Sequence, residues 1–440
     1  MKRRNTKKMR QIFIRLAKNS FIRNSFVLFA GTMIVNVLNY VFHLVVGRMV
    51  EPAAYGEIES LISLLAIISV PAATLTLIAT KYAANMKAGQ DTRGVRILSR
   101  YLNRKLFFYG LPLLVLAFCL TPLVKRFLNI GSNLPILYLW GVMALSFLSA
   151  VTAGILTGWQ KFFHTNISGV LSTILKLGAA FLFIRWGFGV SGVIGSYALA
   201  ILFGYLISLF FLRRFFYQDA SPEDKSVEPH FPSLKGYVLP AFYGTLAVAI
   251  LGNADMIFAK HHLGAEASGE YGALFIVAKT IFFVTGVLTT VLFAMSAEES
   301  ASEKRATYTF RIAAGLTCLT ALVSVFFFSL FPGLVMGVFF GEKYLAVSHL
   351  LGWFALAAGT YSIANLFLQY LLSLHKTRIA SLFLALSGLE IAALFFFGEG
   401  LYAIIGITIG TQMLAALLGL FFVLKENHHA KADFYRHPSL

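Results

Sequence analysis

Five ionisable residues lie inside stretches of sequence that are otherwise almost wholly apolar: Glu59, Lys176, Asp255, Lys279 and Glu390, with Arg48 at the end of another such stretch. A charge at the centre of a bilayer costs about 2.5–3.5 kcal/mol on insertion scales, so five would cost on the order of 15 kcal/mol if they faced lipid. That is comparable with the whole stability of a domain. Such groups must therefore face a hydrated passage or a partner inside the protein. The cations suit an anionic, phosphate-bearing ligand, Arg48 as a bidentate donor and Lys176 and Lys279 as mobile point charges. Asp255 shares a helical face with Gly244, Val248, Gly252 and Ala259, which leave room for water, an ion or a close neighbour. Its carboxylate can bind Na⁺ with neighbouring oxygens or take up a proton. Glu390, with Thr408, Thr411 and Asn253, could complete such an ion-coupling site. An ion pair between Asp255 and Lys279 is the structural alternative, and Glu59 is expected near the surface, in water.

A second polar feature is a stripe. Asn36, Asn39, Tyr40, His43 and Gly47 recur at helical spacing on one apolar segment. Facing a lumen, these side chains offer hydrogen bonds to sugar hydroxyls. Facing a neighbouring helix, they would join the two by hydrogen bonding. Signals of soluble enzymes fail. No phosphate-binding glycine loop is followed by Lys-Ser/Thr, and no nucleophile elbow is present. Cys119 and Cys318 both lie in apolar runs, and His428-His429 has no carboxylate at ligand spacing, so no metal site is expected. The sequence reads as a non-enzyme driven by a gradient or by downhill substrate flow, with Na⁺ or H⁺ as the coupling ion and no other cofactor.

The elements that must position these residues are membrane helices. Of 440 residues, 58% are hydrophobic and only 13% charged, against about 25% charged in a soluble protein. Twelve apolar runs of spanning length can be placed near residues 25–48, 57–80, 105–124, 134–157, 165–185, 190–212, 237–260, 271–296, 306–331, 345–373, 378–397 and 400–424. The expected fold is all-α, two six-helix bundles related by a pseudo-two-fold along the membrane normal. The divisions are a basic arm (1–24), a first bundle (25–213), a linker holding Pro222, Pro229 and Pro232 (214–236), a second bundle (237–424) and a tail (425–440). With both termini inside, 29 of the 37 Lys and Arg fall in cytoplasmic segments, as the positive-inside rule requires of a multi-pass protein of the cytoplasmic membrane. The net charge of +18 is spread over those loops, which suits anionic headgroups at the cytoplasmic face and no nucleic-acid motif.

The halves also read as a duplication. Tyr55-Gly56 falls on Tyr271-Gly272 at a shift of 216, which also sets Asn39 on Asp255; Val193-Ile194-Gly195 falls on Ile404-Ile405-Gly406 at 211. With Lys81-Tyr82-Ala83, Gly158-Trp159-Gln160-Lys161-Phe162 and Gly252-Asn253-Ala254-Asp255, these motifs resemble the oligosaccharide flippase, or polysaccharide biosynthesis, family, over about residues 25–424. That family shares a superfamily with peptidoglycan-lipid flippases and cation-coupled multidrug exporters. The resemblance implies a V of two bundles that moves a polyprenyl-diphosphate-linked oligosaccharide to the outer leaflet by alternating access. It admits glycan polymerase or glycosyltransferases as protein partners. The carrier's tail would stay in lipid while its head entered by a lateral opening. A Na⁺- or H⁺-coupled multidrug exporter, whose lumen should hold more acids than bases, and a non-transporting scaffold for glycan assembly are the alternatives. A major-facilitator reading of Gly89-Gln90-Asp91-Thr92-Arg93-Gly94 departs from that class in spacing.

Overall fold

The computed structural model describes residues 20–217, 235–298, 303–374 and 376–436. Most of the basic arm (1–19), the proline-bearing linker (218–234) and the end of the tail (437–440) lie outside the described residues. The first half comprises α1 (Ser20–Met49), α2 (Pro52–Ile68), α3 (Val70–Ala88), α4 (Thr92–Cys119), α5 (Thr121–Phe127), α6 (Leu134–Gly158), α7 (Phe162–Arg185) and α8 (Gly189–Phe216). The second comprises α9 (Lys235–Leu251), α10 (Ala254–His262), α11 (Ala265–Glu298), α12 (Glu303–Leu330), α13 (Pro332–Phe339), α14 (Leu351–Ser373), α15 (Arg378–Phe397) and α16 (Leu401–Arg436).

Eleven of these segments, α9 and α10 counting as one, are long and apolar enough to span a bilayer, and the bent pair α2–α3 supplies a twelfth. The bend is 41°. It falls at Ser69, two residues before Pro71, whose ring cannot donate to the preceding turn. All twelve expected runs are therefore essentially helical, three of them broken: 57–80 at Ser69, 105–124 at Leu120 and 237–260 at Gly252–Asn253. Backbone polar groups must be satisfied within the segment in lipid, which leaves α-helix as the form these runs can take.

Each half forms its own lobe. In lobe 1, α6 packs on α3 and α8, and α7 on α1 and α8; in lobe 2, α14 packs on α12 and α16, and α9 on α15. Small residues permit the closest approaches. A Cβ on Gly154 or Gly158 would strike the α3 backbone at Thr76 and Thr80, and Thr80 Oγ1 donates to the Gly154 carbonyl at 3.1 Å. The lobes differ at their two ends. At the end where α3 and α8 finish, the apolar cores are separate: one is built only from lobe 1, including Ala83, Leu98, Ile155 and Phe216, the other only from lobe 2, including Phe310, Phe367 and Leu371. At the opposite end a single core spans both lobes, with Phe42, Val46 and Tyr55 packed among Tyr271, Phe340 and Phe354. The lobes are sealed together at the Arg48 end, and α3 and α9 remain in contact towards the other.

Candidate functional site

In lobe 1 the α1 stripe faces inward along its second half. His43 is buried, and its Nδ1 lies 2.6 Å from Glu59 Oε1. Lys176, from α7, donates to Asn39 Oδ1 at 2.6 Å, with its ammonium 4.3 Å from the ring centres of both Phe42 and Tyr197. Asn36 is half-buried one turn earlier on α1. Tyr40 is half-buried too, and its hydroxyl has no partner, like that of Tyr55 and like Glu59 Oε2. Glu59 departs from expectation: it is 1% exposed, not solvated. Although only seven residues into α2, it lies beneath the seal, where α2 packs on α11 and Gly272 leaves room for its stem.

Lobe 2 is organised by the break between α9 and α10. Two carbonyls left by the break are met by side chains, Leu251 O by Gln412 (2.9 Å) and Ala249 O by Asn253 (2.8 Å), and Tyr361 adds a second donor to Val248 O (3.0 Å). The break places Asp255 in the first turn of α10, where free N–H groups favour a carboxylate. Asp255 Oδ2 accepts from the Tyr271 hydroxyl at 2.8 Å, and Lys279 donates to Asn253 Oδ1 at 2.8 Å while lying 3.8 Å from the Phe275 ring centre. The direct Asp255–Lys279 ion pair is thus not formed. Glu390 is fully buried and accepts from Thr411 at 3.0 Å. A small pocket is lined by Asp255, Lys279, Thr408 and Gln412, among others. On its lining Asp255 Oδ1, Thr408 Oγ1 and Gln412 Oε1 are buried without partners, as is Glu390 Oε2 beyond it. The structure brings Asp255, Glu390, Asn253, Thr408 and Thr411 into one neighbourhood. The sequence match sets Asn39 on Asp255, but it is Asn253 that, like Asn39, accepts from a lysine ammonium.

Arg48 stands apart from both lysines. It is exposed at the sealed end and donates from Nε to Phe339 O at 3.0 Å and from its second nitrogen to Val338 O. Those carbonyls close α13, and a cation suits a helix C-terminus. Beside it, Lys343 meets Glu51 at 3.1 Å. Further along the seal, the buried Lys260 of α10 attracts Glu57 of α2, and His261 Nδ1 lies 2.7 Å from Phe127 O, with its ring stacked on Phe127. The helix backbones nearly touch: a Cβ on Gly269 would overlap the Pro52 carbonyl, and one on Gly56 would lie 2.8 Å from Gly269 N.

A family model for polysaccharide biosynthesis proteins matches residues 21–298. The chain belongs to that family. A search of curated proteins finds no match. Among solved structures, this polysaccharide biosynthesis protein is similar to an inward-facing multidrug resistance MATE family transporter of the MOP superfamily, with a TM-score of 0.68, 16% identity, and 93% of this chain and 99% of that one covered. Similarity to an outward-facing MATE transporter gives 0.58, at 19% identity over 95% and 98%. A MOP superfamily transporter from Pyrococcus furiosus, whose function is described as different because its binding pocket has reversed polarity, gives 0.57 at 18% identity over 91% and 94%. The family protein thus has the two-lobe fold of these membrane transporters.

Sequence reasoning did not find Gln412, Tyr271, Tyr197 or the buried Lys260 facing the charge of Glu57. The repeated Tyr-Gly motif pointed towards Tyr271. Nothing in the spacing singled out Gln412, whose role exists only because α9 ends at Leu251.

Proposed function

We propose that the protein is a flippase of the MOP superfamily, carrying a polyprenyl-diphosphate-linked oligosaccharide across the cytoplasmic membrane by alternating access. The observation that carries this reading is one lysine per lobe, Lys176 buried and Lys279 half-buried, each held by an asparagine oxygen and an aromatic face instead of a directly bonded carboxylate. Two ammonium groups poised in this way can turn towards a diphosphate without first breaking an ion pair. The half-buried Asn36, Asn39 and Tyr40 add hydrogen-bonding groups for sugars. The distribution of basic residues puts the Arg48 end outside. On that orientation the seal closes the outer end, the separate cores lie at the cytoplasmic end, and the state is the one that loads substrate. The greater likeness to the inward-facing MATE structure supports this. Arg48 then acts as an outer clasp, free to meet the departing diphosphate once α13 is released. The basic cytoplasmic loops favour anionic headgroups, and the family context favours glycan polymerase or glycosyltransferases as neighbours.

A second reading, a cation-coupled multidrug exporter, is favoured by the charge tally. Buried Glu59, Asp255 and Glu390 outnumber Lys176 and Lys279. In either reading the lobe-2 oxygens suit a coupling ion. Asp255, Glu390, Thr408 and Gln412 offer four unpartnered buried acceptors, a donor set that fits Na⁺ and, through either carboxylate, a proton. Such an ion would supply the positive charge that offsets two neighbouring carboxylates.

The test is ligand-dependent thermal stabilisation of the purified protein. A polyprenyl-diphosphate-linked glycan should raise Tm, and Lys176→Met and Lys279→Met should each weaken that effect about tenfold or more in apparent Kd, as expected for a charge-assisted contact. Stabilisation by a lipophilic cation alone would favour the exporter. A response to neither would leave the scaffold reading.

A further inference from the structure

The two lobes repeat one contact with the charges around it rearranged. Asn39 and Asn253, 214 residues apart, each accept a hydrogen bond from a lysine ammonium. The same shift sets Lys176 of α7 on Glu390 of α15. A shift of 211 sets Tyr197, whose ring Lys176 overlies, on Thr408, which has an orphaned oxygen near Glu390. A shift of 216 sets Glu59 on Phe275, whose face Lys279 covers. In lobe 1 the lysine is therefore on the fifth span and the acid on the second; in lobe 2 the acid is on the fifth and the lysine on the second.

The exchange leaves the lobes electrically unequal. In lobe 1 Glu59 is met directly by His43 and also feels the Lys176 charge. In lobe 2 the charges acting on Lys279 are Asp255 and, from lobe 1, Glu59, whereas the charge acting on Glu390 comes from Asp255, another acid. An uncompensated buried carboxylate costs several kcal/mol unless a cation or proton joins it. We infer that Lys176 is a covalently attached substitute, in lobe 1, for the monovalent cation that lobe 2 takes from solution at Glu390. Lobe 1 is then a latent cation site. Removal of the Lys176 charge would leave Asn39 Oδ1 and the faces of Phe42 and Tyr197 around an empty position, within the field of the Glu59 carboxylate, since oxygens and aromatic faces both attract cations. This inference rests on the cation reading of lobe 2.

The experiment is thermal unfolding of the purified full-length chain across a titration of NaCl against choline chloride at fixed ionic strength, repeated with LiCl and KCl. Stabilisation by a ligand grows with ligand concentration in proportion to the number of sites filled. Wild type should respond with the slope of about one ion, and Lys176→Met should lose stability in choline and respond with about two. Glu390→Lys, which builds the lobe-1 arrangement into lobe 2, should abolish the response, and it keeps the inference testable if Lys176→Met is not recovered folded. A Lys176→Met protein that is equally destabilised in choline and sodium, with the wild-type slope, overturns the inference while leaving the lobe-2 cation reading intact. A Glu390→Lys protein that keeps the wild-type response overturns it too. A wild type that ignores all three ions, with no gain in Lys176→Met, overturns both.

Discussion

Gly269→Ala should force the sealed end open. Gly269 lies in α11 against the start of α2, where an added Cβ would overlap the Pro52 carbonyl and approach Pro52 Cα to 2.9 Å, against 3.4–4 Å in ordinary contact. Both obstacles are backbone, so no side-chain rotation relieves them, and packed interiors resist such displacement. Overpacking of this kind costs about 1–3 kcal/mol. The clash exists only while the lobes meet, so the cost falls on the sealed state alone and appears as a shift of about 5- to 150-fold in population towards the open one. The assay is a spin-label distance measurement between Asn133→Cys in lobe 1 and Ala265→Cys in lobe 2, both exposed beside the seal, with Cys119 and Cys318 replaced by Ser. Wild type should give mainly a short distance and Gly269→Ala mainly a longer, broader one. Gly264→Ala, where a Cβ meets nothing within 4 Å, is the control and should resemble wild type. A folded Gly269→Ala protein with the wild-type distribution would refute the seal as the contact that holds the lobes.

Arg48→Gln removes a charged donor from the end of α13 and should shift the same distribution in the same direction by about fivefold, about 1 kcal/mol for an exposed contact of this type. His43→Ala leaves the buried Glu59 carboxylate without its partner and should cost about 3–5 kcal/mol, read as a lower Tm. The double variant His43→Ala, Glu59→Gln should recover part of that loss, and strict additivity would show that the two do not interact. Gln412→Leu removes the donor to the Leu251 carbonyl and should cost about 1–3 kcal/mol of stability, because the α9–α10 break would expose an unmet acceptor to an apolar interior. Unchanged thermal unfolding would contradict the role given to that break.

The spans were legible because hydrophobic length suffices to identify a membrane helix, and each expected run is found. The lysines and acids were legible because charge at membrane depth is rare and must be accommodated. Their partners were not. Glu59 sits near a helix start, and whether such a position is wet depends on what the other lobe places above it. Arg48 and Lys176 look alike as membrane-depth cations, yet one caps a helix that is remote in sequence and the other is enclosed by Asn39, Phe42 and Tyr197. The repeat was read from Tyr55-Gly56 and Tyr271-Gly272, but matching Asn39 to Asp255 did not show that Asn253 is the residue that accepts from a lysine, since that depends on where α9 ends.

The most direct test of the flippase reading is a leaflet-resolved assay in proteoliposomes, with fluorescent polyprenyl-diphosphate-linked glycan and a cationic drug offered in parallel. The account predicts that the glycan lipid changes leaflet, that Lys176→Met and Lys279→Met slow it, and that the drug does not compete. Export of the drug with no movement of the glycan lipid would contradict it.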